Sequence, residues 1–515
     1  MRRFLILAAM LVTAGCVYAA PAFSATGFSG PVSSGDVTSS RAIVLAHANV
    51  AENYKVEGWT NPSLTGPKAF KGKVKTNASK DFTVKIDITG LKPNTDYWFQ
   101  FKKDELGALS DVGHFKTAPA SGATQDVNLG YTGDADGNIN TATNAPAFNN
   151  FETLDALNAE NPDAWVFHGD TIYADSSFRT TGPATTLPEY RDAHKMNQAY
   201  AALKNLMEST STYATMDDHE VVNDYDAQTV NPARYAAGRQ AFLESYPVRE
   251  TGLPHDTSCA GDPLYRKFQW GSEVEMFLLD MRSCRSSEAT VACAGDLGPT
   301  LPTSVRTTFP FTLFLTPSPP AGCLAAINNP SRTLLGPVQK AQFKADLLNS
   351  TARHKFVLTQ DPMMQFHVLP YDRWEGYAAE RNEILDYISN NGIDNVSFLT
   401  TDTHATLVNE VSKDTFTAPA PIAKELVTGP VATNTFRNEV VAVGGLLGLA
   451  ATNAVISLDG MNCRQLDKYS YATAVANATT GVATLTSKDQ NGATIINQPG
   501  APPSATAPCT ISSGP

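Results

Sequence analysis

Charged side chains are scarce: 17% of the 515 residues are Asp, Glu, Lys or Arg, against about a quarter in an ordinary globular protein. Small, polar and turn-forming residues fill the difference, a composition of strands and loops. Disorder is excluded, because 42% of the chain is apolar. Positive charge is scarcer still, 39 Lys and Arg against 51 Asp and Glu, for a net charge of −12. That balance excludes nucleic acid or an anionic membrane as the main partner. Beyond the N-terminus no apolar run reaches the roughly 20 residues of a bilayer-spanning helix. The stretch 440–451 falls short and reads as a buried core segment, so no transmembrane segment is expected. Missing too are a Gly-x-Ser-x-Gly elbow and a phosphate loop ending in Gly-Lys-Ser/Thr. His219-Glu220-Val221-Val222-Asn223 fails as a zinc-protease helix, with Asn223 where a second His is required. The loop starting at Asp134 fails as an EF-hand, with Ile139 and Ala145 at the positions of the Gly and Glu.

Arg2 and Arg3 precede an apolar run over 4–12 and then small residues, the pattern of an export leader, taken as residues 1–20. Two cleavage readings stand. Val17-Tyr18-Ala19 fits release of a soluble, secreted or periplasmic protein and is preferred. Ala14-Gly15-Cys16 resembles a lipobox and would anchor the chain through Cys16. Without the leader six cysteines remain: Cys259, Cys284, Cys293, Cys323, Cys463 and Cys509. An even number in an exported chain favours disulfides, with fifteen pairings open. None is spaced as in a zinc ribbon, so they read as staples on long loops.

The length asks for more than one core. Residues 27–118 read as an all-β, immunoglobulin-like sandwich of short alternating strands, such as 81–88 and 97–101, separated by turns. A linker is expected over 118–123. From 125 to 486 strands alternate with helices, the pattern of an α/β domain with a mixed sheet. Strands are expected at 127–131, 164–167, 274–279, 355–359 and 396–400, and helices at 148–160, 188–209, 232–246, 337–349 and 375–390. Residues 286–332 read as a long stapled loop, and 487–515 as a low-complexity, extended tail.

Four strand ends carry chemistry: Asp134 and Asp136; His168-Gly169-Asp170 with Tyr173; Asp217-Asp218-His219-Glu220; and Asp402 with His404. One Asp after a strand is usually a helix cap. Four such ends would gather Asp, His and Tyr beyond the carboxyl edge of a sheet, where ligands bind and no packing argument requires them. Hard oxygen donors with a few imidazoles suit Fe³⁺, Ca²⁺, Mn²⁺ or Mg²⁺.

These stretches resemble the PhoD-like alkaline phosphatases of the calcineurin-like metallophosphoesterases. The resemblance is carried by HGDTIYAD at 168–175, DDHEVVNDYD at 217–226, LLDMRSCR at 278–285 and LTTDTHA at 399–405. AFLESYPVR at 241–249, LLGPVQKAQF at 334–343, PYDRWEGYAAERNEIL at 370–385 and the N-terminal GPVSSGDVTSSRAIVLAHAN at 30–49 support it. It implies a two-sheet αββα sandwich preceded by the small all-β domain. It further implies Asp134, Asp170, Tyr173, Asp218, Asp402 and His404 as metal ligands, with Asp170 bridging two ions and Tyr173 on ferric iron. His219 would stabilise or protonate the leaving oxygen, and Arg282 would neutralise phosphate charge. Asp136, His168 and Asp217 would orient ligands. The first motif lacks the cysteine common in relatives, and the strand over 356–360 shows no ligand of its own.

The implied cofactors are Fe³⁺ and Ca²⁺, with Mn²⁺, Mg²⁺ or Zn²⁺ as substitutes, at a two- or three-metal site. The implied activity is hydrolysis of small phosphate esters by an exported monomer. Within the same fold the alternative is a diester hydrolase of phospholipase D type. From another class, the alternative is a non-catalytic, calcium-binding surface protein.

Overall fold

The computed structural model describes residues 27–103, 107–250, 253–499 and 506–514. Both leader-cleavage readings, and Cys16, lie outside them. Two large sheets dominate. The first has nine strands in the order Thr510–Ser513, Val482–Asp489, Ser470–Asn477, Val127–Thr132, Ala164–His168, Thr212–Thr215, Phe28–Gly35, Arg41–Ala48 and Thr83–Thr89. The second has seven: Arg266–Trp270, Val274–Leu278, His354–Leu358, Val396–Thr400, Ala418–Val427, Thr406–Asp414 and Cys463–Gln465. Strands from both line one apolar core, Leu129, Tyr131 and Val166 packing with Met276, Phe356 and Leu399. The central strands, such as Ala164–His168 and Val396–Thr400, are buried at every residue, as parallel strands covered on both faces must be. Helices cover the outer faces, as the two-sheet αββα reading requires.

The N-terminal β-region is a sandwich whose one face is the four-stranded sheet Phe70–Lys75, Asn53–Trp59, Asp96–Lys103 and Leu109–Lys116. Its other face is the far edge of the nine-stranded sheet. Phe28–Gly35 runs parallel to Thr212–Thr215, joined through Gly35 and Thr212. Only glycine fits there, since a Cβ on Gly35 would stand 2.2 Å from the Thr212 carbonyl oxygen. The expected linker is no free hinge: Ala118 is buried, and the Ala123 carbonyl accepts from the Ser272 amide at 2.8 Å.

Three other expectations change. The helix over 188–209 is two, Leu187–Gln198 and Ala201–Ser209, broken where Tyr200 is extended. Its ring stacks on Phe151 at 4.2 Å, and side-chain packing overrides helix propensity at that point. The described residues after 487 are no loose appendage: Thr510–Ser513 is the edge strand of the large sheet, and Cys509 is bonded to Cys463. The run 440–451 is not core. It is the middle of the helix Phe436–Leu458, with Val443, Leu446 and Leu447 exposed and only its ends buried. That helix has 23 residues, and an 18-residue stretch of it, with mean hydropathy 1.9, also meets the length and composition of a membrane span. Ordinary residues on both sides of the apolar run extend it beyond what the run alone indicated. Cys293–Cys323 closes the long loop upon itself, and Cys259–Cys284 ties the segment after Asp280 to its neighbour.

Candidate metal centre

The parallel strands Val127–Thr132, Ala164–His168 and Thr212–Thr215 of one sheet face His354–Leu358 and Val396–Thr400 of the other. The two sheets are stitched at their carboxyl ends, where the Thr401 hydroxyl donates to the His168 carbonyl at 2.6 Å. Each chain turns sharply there. Asp134 (φ 64°), Asp170 (φ 47°), Asp402 (φ 61°) and His404 (φ 54°) all sit in the left-handed region. Asp and His tolerate that region better than most residues, and non-glycine residues held there mark sites the surrounding fold over-determines.

These turns bring together what the four strand ends promised. Asp134, Asp170 and His404 offer ligand atoms within 4.8 Å of one another, and so do Asp170, Asp218 and His219. Asp170 belongs to both groups. The Tyr173 hydroxyl lies 2.9 Å from His404 Nε2, and its ring stacks on His219 with centroids 4.0 Å apart. Gly429 (φ 107°) passes directly over Asp134, and any Cβ there would stand 2.3 Å from Asp134 Oδ2.

A residue the sequence reading missed completes the group. Asp361 follows the strand His354–Leu358, is fully buried, and neither of its carboxylate oxygens has a hydrogen-bond partner. It forms a third close group with Asp372 and Asp402. The signal was present, an Asp just beyond a strand end, but no motif distinguished it from a helix cap. Asp175 was also missed: its carboxylate lies 2.5 Å from His219 Nδ1, which leaves Nε2 directed toward Asp170 at 3.9 Å. Glu439, likewise unforeseen, holds His404 Nδ1 at 2.7 Å.

Arg282 does not face a substrate as expected. It is fully buried, with Nε on Asp217 and Nη1 and Nη2 on Asp372 at 2.7 and 2.9 Å. Its Nη2 also has Asp218, Asp402 and Asp361 at 3.6, 3.8 and 3.9 Å. A guanidinium whose donors are taken up by carboxylates holds those carboxylates in place and has little left for phosphate. Asp217 is thus the arginine's anchor. Asp136 accepts from the Asn138 side chain, which in turn donates to the Tyr173 carbonyl at 3.2 Å, bracing the tyrosine loop. His168 orients none of the predicted ligands through its ring, whose partner is Thr215 on the next strand at 3.0 Å. Burial pushes His168 down to about 4, so it is neutral.

The electrostatics fit cations. Burial, with smaller contributions from neighbouring carboxylates, raises Asp134 to about 7 and holds Asp170, Asp361 and Asp402 well above the usual carboxylate range. Asp134 Oδ2 and Asp218 Oδ1 are buried without partners, as is Asp361. Buried acceptors are rarely left so, and oxygens crowded in this way are stabilised by a bound cation, whose charge reverses the local pKa logic. For His219 burial opposes protonation, but Asp218, Asp175 and Asp217 outweigh it and raise the imidazole to about 10.

A family model described as PhoD-like phosphatase matches residues 140–475, and one described as PhoD-like phosphatase, N-terminal domain, matches 15–119. Alkaline phosphatase D of Bacillus subtilis (strain 168) is 28% identical over 376 residues, which are 67% of this chain and 57% of that protein. Among solved structures, one of PhoD superposes with a TM-score of 0.73 at 22% identity, covering 96% of this chain and 94% of that one. A purple acid phosphatase from yellow lupin (Lupinus luteus) seeds superposes at 0.52 with 10% identity, covering 93% and 73%. Both structures share the fold.

Proposed function

The chain belongs to the PhoD-like phosphatase family, and from that premise we propose that it is an exported alkaline phosphatase acting on small phosphate esters. The observation that carries the reading is the carboxylate of Asp170, shared by two groups of converging ligands. Asp134, Asp170, Tyr173 and His404 would hold one cation, and the phenolate oxygen suits ferric iron. Asp170, Asp218, Asp361 and Asp402 offer oxygen alone and suit Ca²⁺, with Mn²⁺, Mg²⁺ or Zn²⁺ as substitutes. Bound there, such a pair supplies an activated water and draws charge from the phosphoryl oxygens.

The protein's own groups do the rest. Asp170 sets the spacing of the two halves. Arg282 holds Asp217 and Asp372 and keeps Asp218, Asp361 and Asp402 gathered without offering a donor to the substrate. His219, kept protonated by its carboxylate neighbours, delivers a proton from Nε2 to the departing oxygen, and Asp175 fixes the ring for that transfer. A non-catalytic surface protein has no use for a protonated imidazole stacked on Tyr173 beside the shared carboxylate. The three disulfides support export to an oxidising compartment.

The test is hydrolysis of a chromogenic monoester and its diester, with metal analysis, before and after chelation. The reading expects the monoester to be the better substrate, activity to vanish on chelation and return with Fe³⁺ and Ca²⁺, and a visible absorption band that is lost in Tyr173→Phe. Full activity in metal-free protein would refute it, and a preference for the diester would move the assignment to a phosphodiesterase.

A further inference from the structure

The helix Phe436–Leu458 is apolar and largely uncovered along its middle. Its first turn is anchored at the metal centre, where the Phe436 amide donates to the His404 carbonyl at 2.9 Å and Glu439 holds His404. Its last turns are buried through Ala451, Val455 and Ile456. Between the anchors no residue from 440 to 450 is buried, and Val443, Leu446 and Leu447 are 86%, 70% and 63% exposed. The helix breaks in the middle, at Gly445 (φ 60°, ψ −164°). Around Gly444 and Gly445 nothing approaches within 4 Å of where a Cβ would be, so the break projects into open space.

A second element adds to this surface. Phe311 and Leu315 of the long stapled loop pack with Val455 and Ala454 of the helix. On that loop Phe309 is 77% and Leu313 55% exposed. The exposed stretches carry almost no charge: Arg437 and Glu439 in the first turn of the helix pair with Asp467 and His404, none occurs from 440 to 458, and the one charged residue from 297 to 331, Arg306, is buried against Asp296.

We propose that the kinked helix and the neighbouring loop dock on an uncharged, zwitterionic lipid surface, inserting Val443, Leu446, Leu447 and Phe309 beside the mouth of the metal centre. Two observations select that occupant. Five exposed apolar side chains amount to a few hundred Å², short of the roughly 800 Å² per partner that a stable dimer needs. An interfacial anchor needs no shape-matched partner, and its strength follows the apolar area inserted. The lack of basic residues from 440 to 458, and from 297 to 331 apart from the buried Arg306, in a chain of net charge −12, argues against electrostatic capture by anionic lipid and leaves insertion as the driving force. The inference does not depend on the proposed catalytic activity, because binding is read without turnover.

The experiment is co-sedimentation of the full chain with phosphatidylcholine vesicles, with and without phosphatidylglycerol, at low and high salt. Binding to neutral vesicles, insensitive to salt and weakened on the order of tenfold or more in Leu446→Asp/Leu447→Asp, supports the proposal. The variant should keep the melting temperature and the rate on a soluble ester. Since a charged pair could disturb folding, Leu446→Trp provides an independent arm, its fluorescence shifting to the blue on vesicle addition. No binding, binding confined to anionic vesicles and abolished by salt, an unshifted tryptophan, or a concentration-dependent dimer that the Asp variant dissolves would each overturn it.

Discussion

Asp134, Asp170, Asp402 and His404 share a left-handed backbone, and the turn that produces it is what aims each side chain across the gap between the sheets. Such conformations cost about 1–3 kcal/mol each and persist where the surroundings enforce them. Asp175 acts at one remove, by holding His219. Replacing it with Asn keeps the size and removes the charge. Asp175→Asn should lower kcat about 10–100-fold and move the alkaline limb of the pH profile to lower pH. The sign follows from the imidazole: its neighbours keep it protonated up to about 10, removing one lowers that value, and the acid form is then lost sooner as pH rises. A profile measured from pH 6 to 11 checks both effects. At this scale the sequence was readable wherever a motif carried the residue, as with Asp170 and His404. Asp361 escaped because no motif marks it as more than a helix cap, and Glu439 because only the fold brings its helix back to His404.

Among the elements, those with a clear period were legible. Buried runs such as 164–167 and 396–400 became strands, and the proline at 232 opened a helix. The misreadings have physical reasons. A short apolar run reads as core, and nothing local to 440–451 says that the helix breaks at Gly445 and leaves Val443, Leu446 and Leu447 exposed. The polar tail after 487 reads as loose, yet Cys509, bonded to Cys463, carries it back to the sheet edge. That closure predicts that Cys463→Ser/Cys509→Ser loses about 2–4 kcal/mol of stability, measured by denaturant unfolding. The rate on a soluble ester should stay near that of the parent, because the bond lies on the edge strand away from Asp170.

For the whole molecule, the sandwich and the catalytic layers looked like separate units in sequence, because one alternates strands alone and the other strands with helices. The continuous nine-stranded sheet is a contact between distant segments that no local pattern encodes. The acid-rich centre has a consequence for overall stability. Without metal, Asp134 titrates at about 7 in place of 3.8, chiefly through burial. His404 is held at about 9, where Glu439 and Asp134 outweigh the opposing effect of burial. These two groups bind more protons in the folded protein than in the unfolded chain, Asp134 between about pH 4 and 7 and His404 from the ordinary imidazole range up to about 9, so their contribution to stability falls as pH rises through that window. Chelated protein should melt at steadily lower temperature from pH 5 to pH 9, and cation addition should restore the loss, as scanning calorimetry will register.

The central claim is that one carboxylate joins two cations. Asp170→Asn, purified with metal, should be examined for bound cations per chain and for hydrolysis of a chromogenic monoester in the same sample. A folded variant that has lost at least one cation and hydrolyses on the order of 10³-fold more slowly is the predicted result. A variant that keeps the parent's cation content and rate would contradict it.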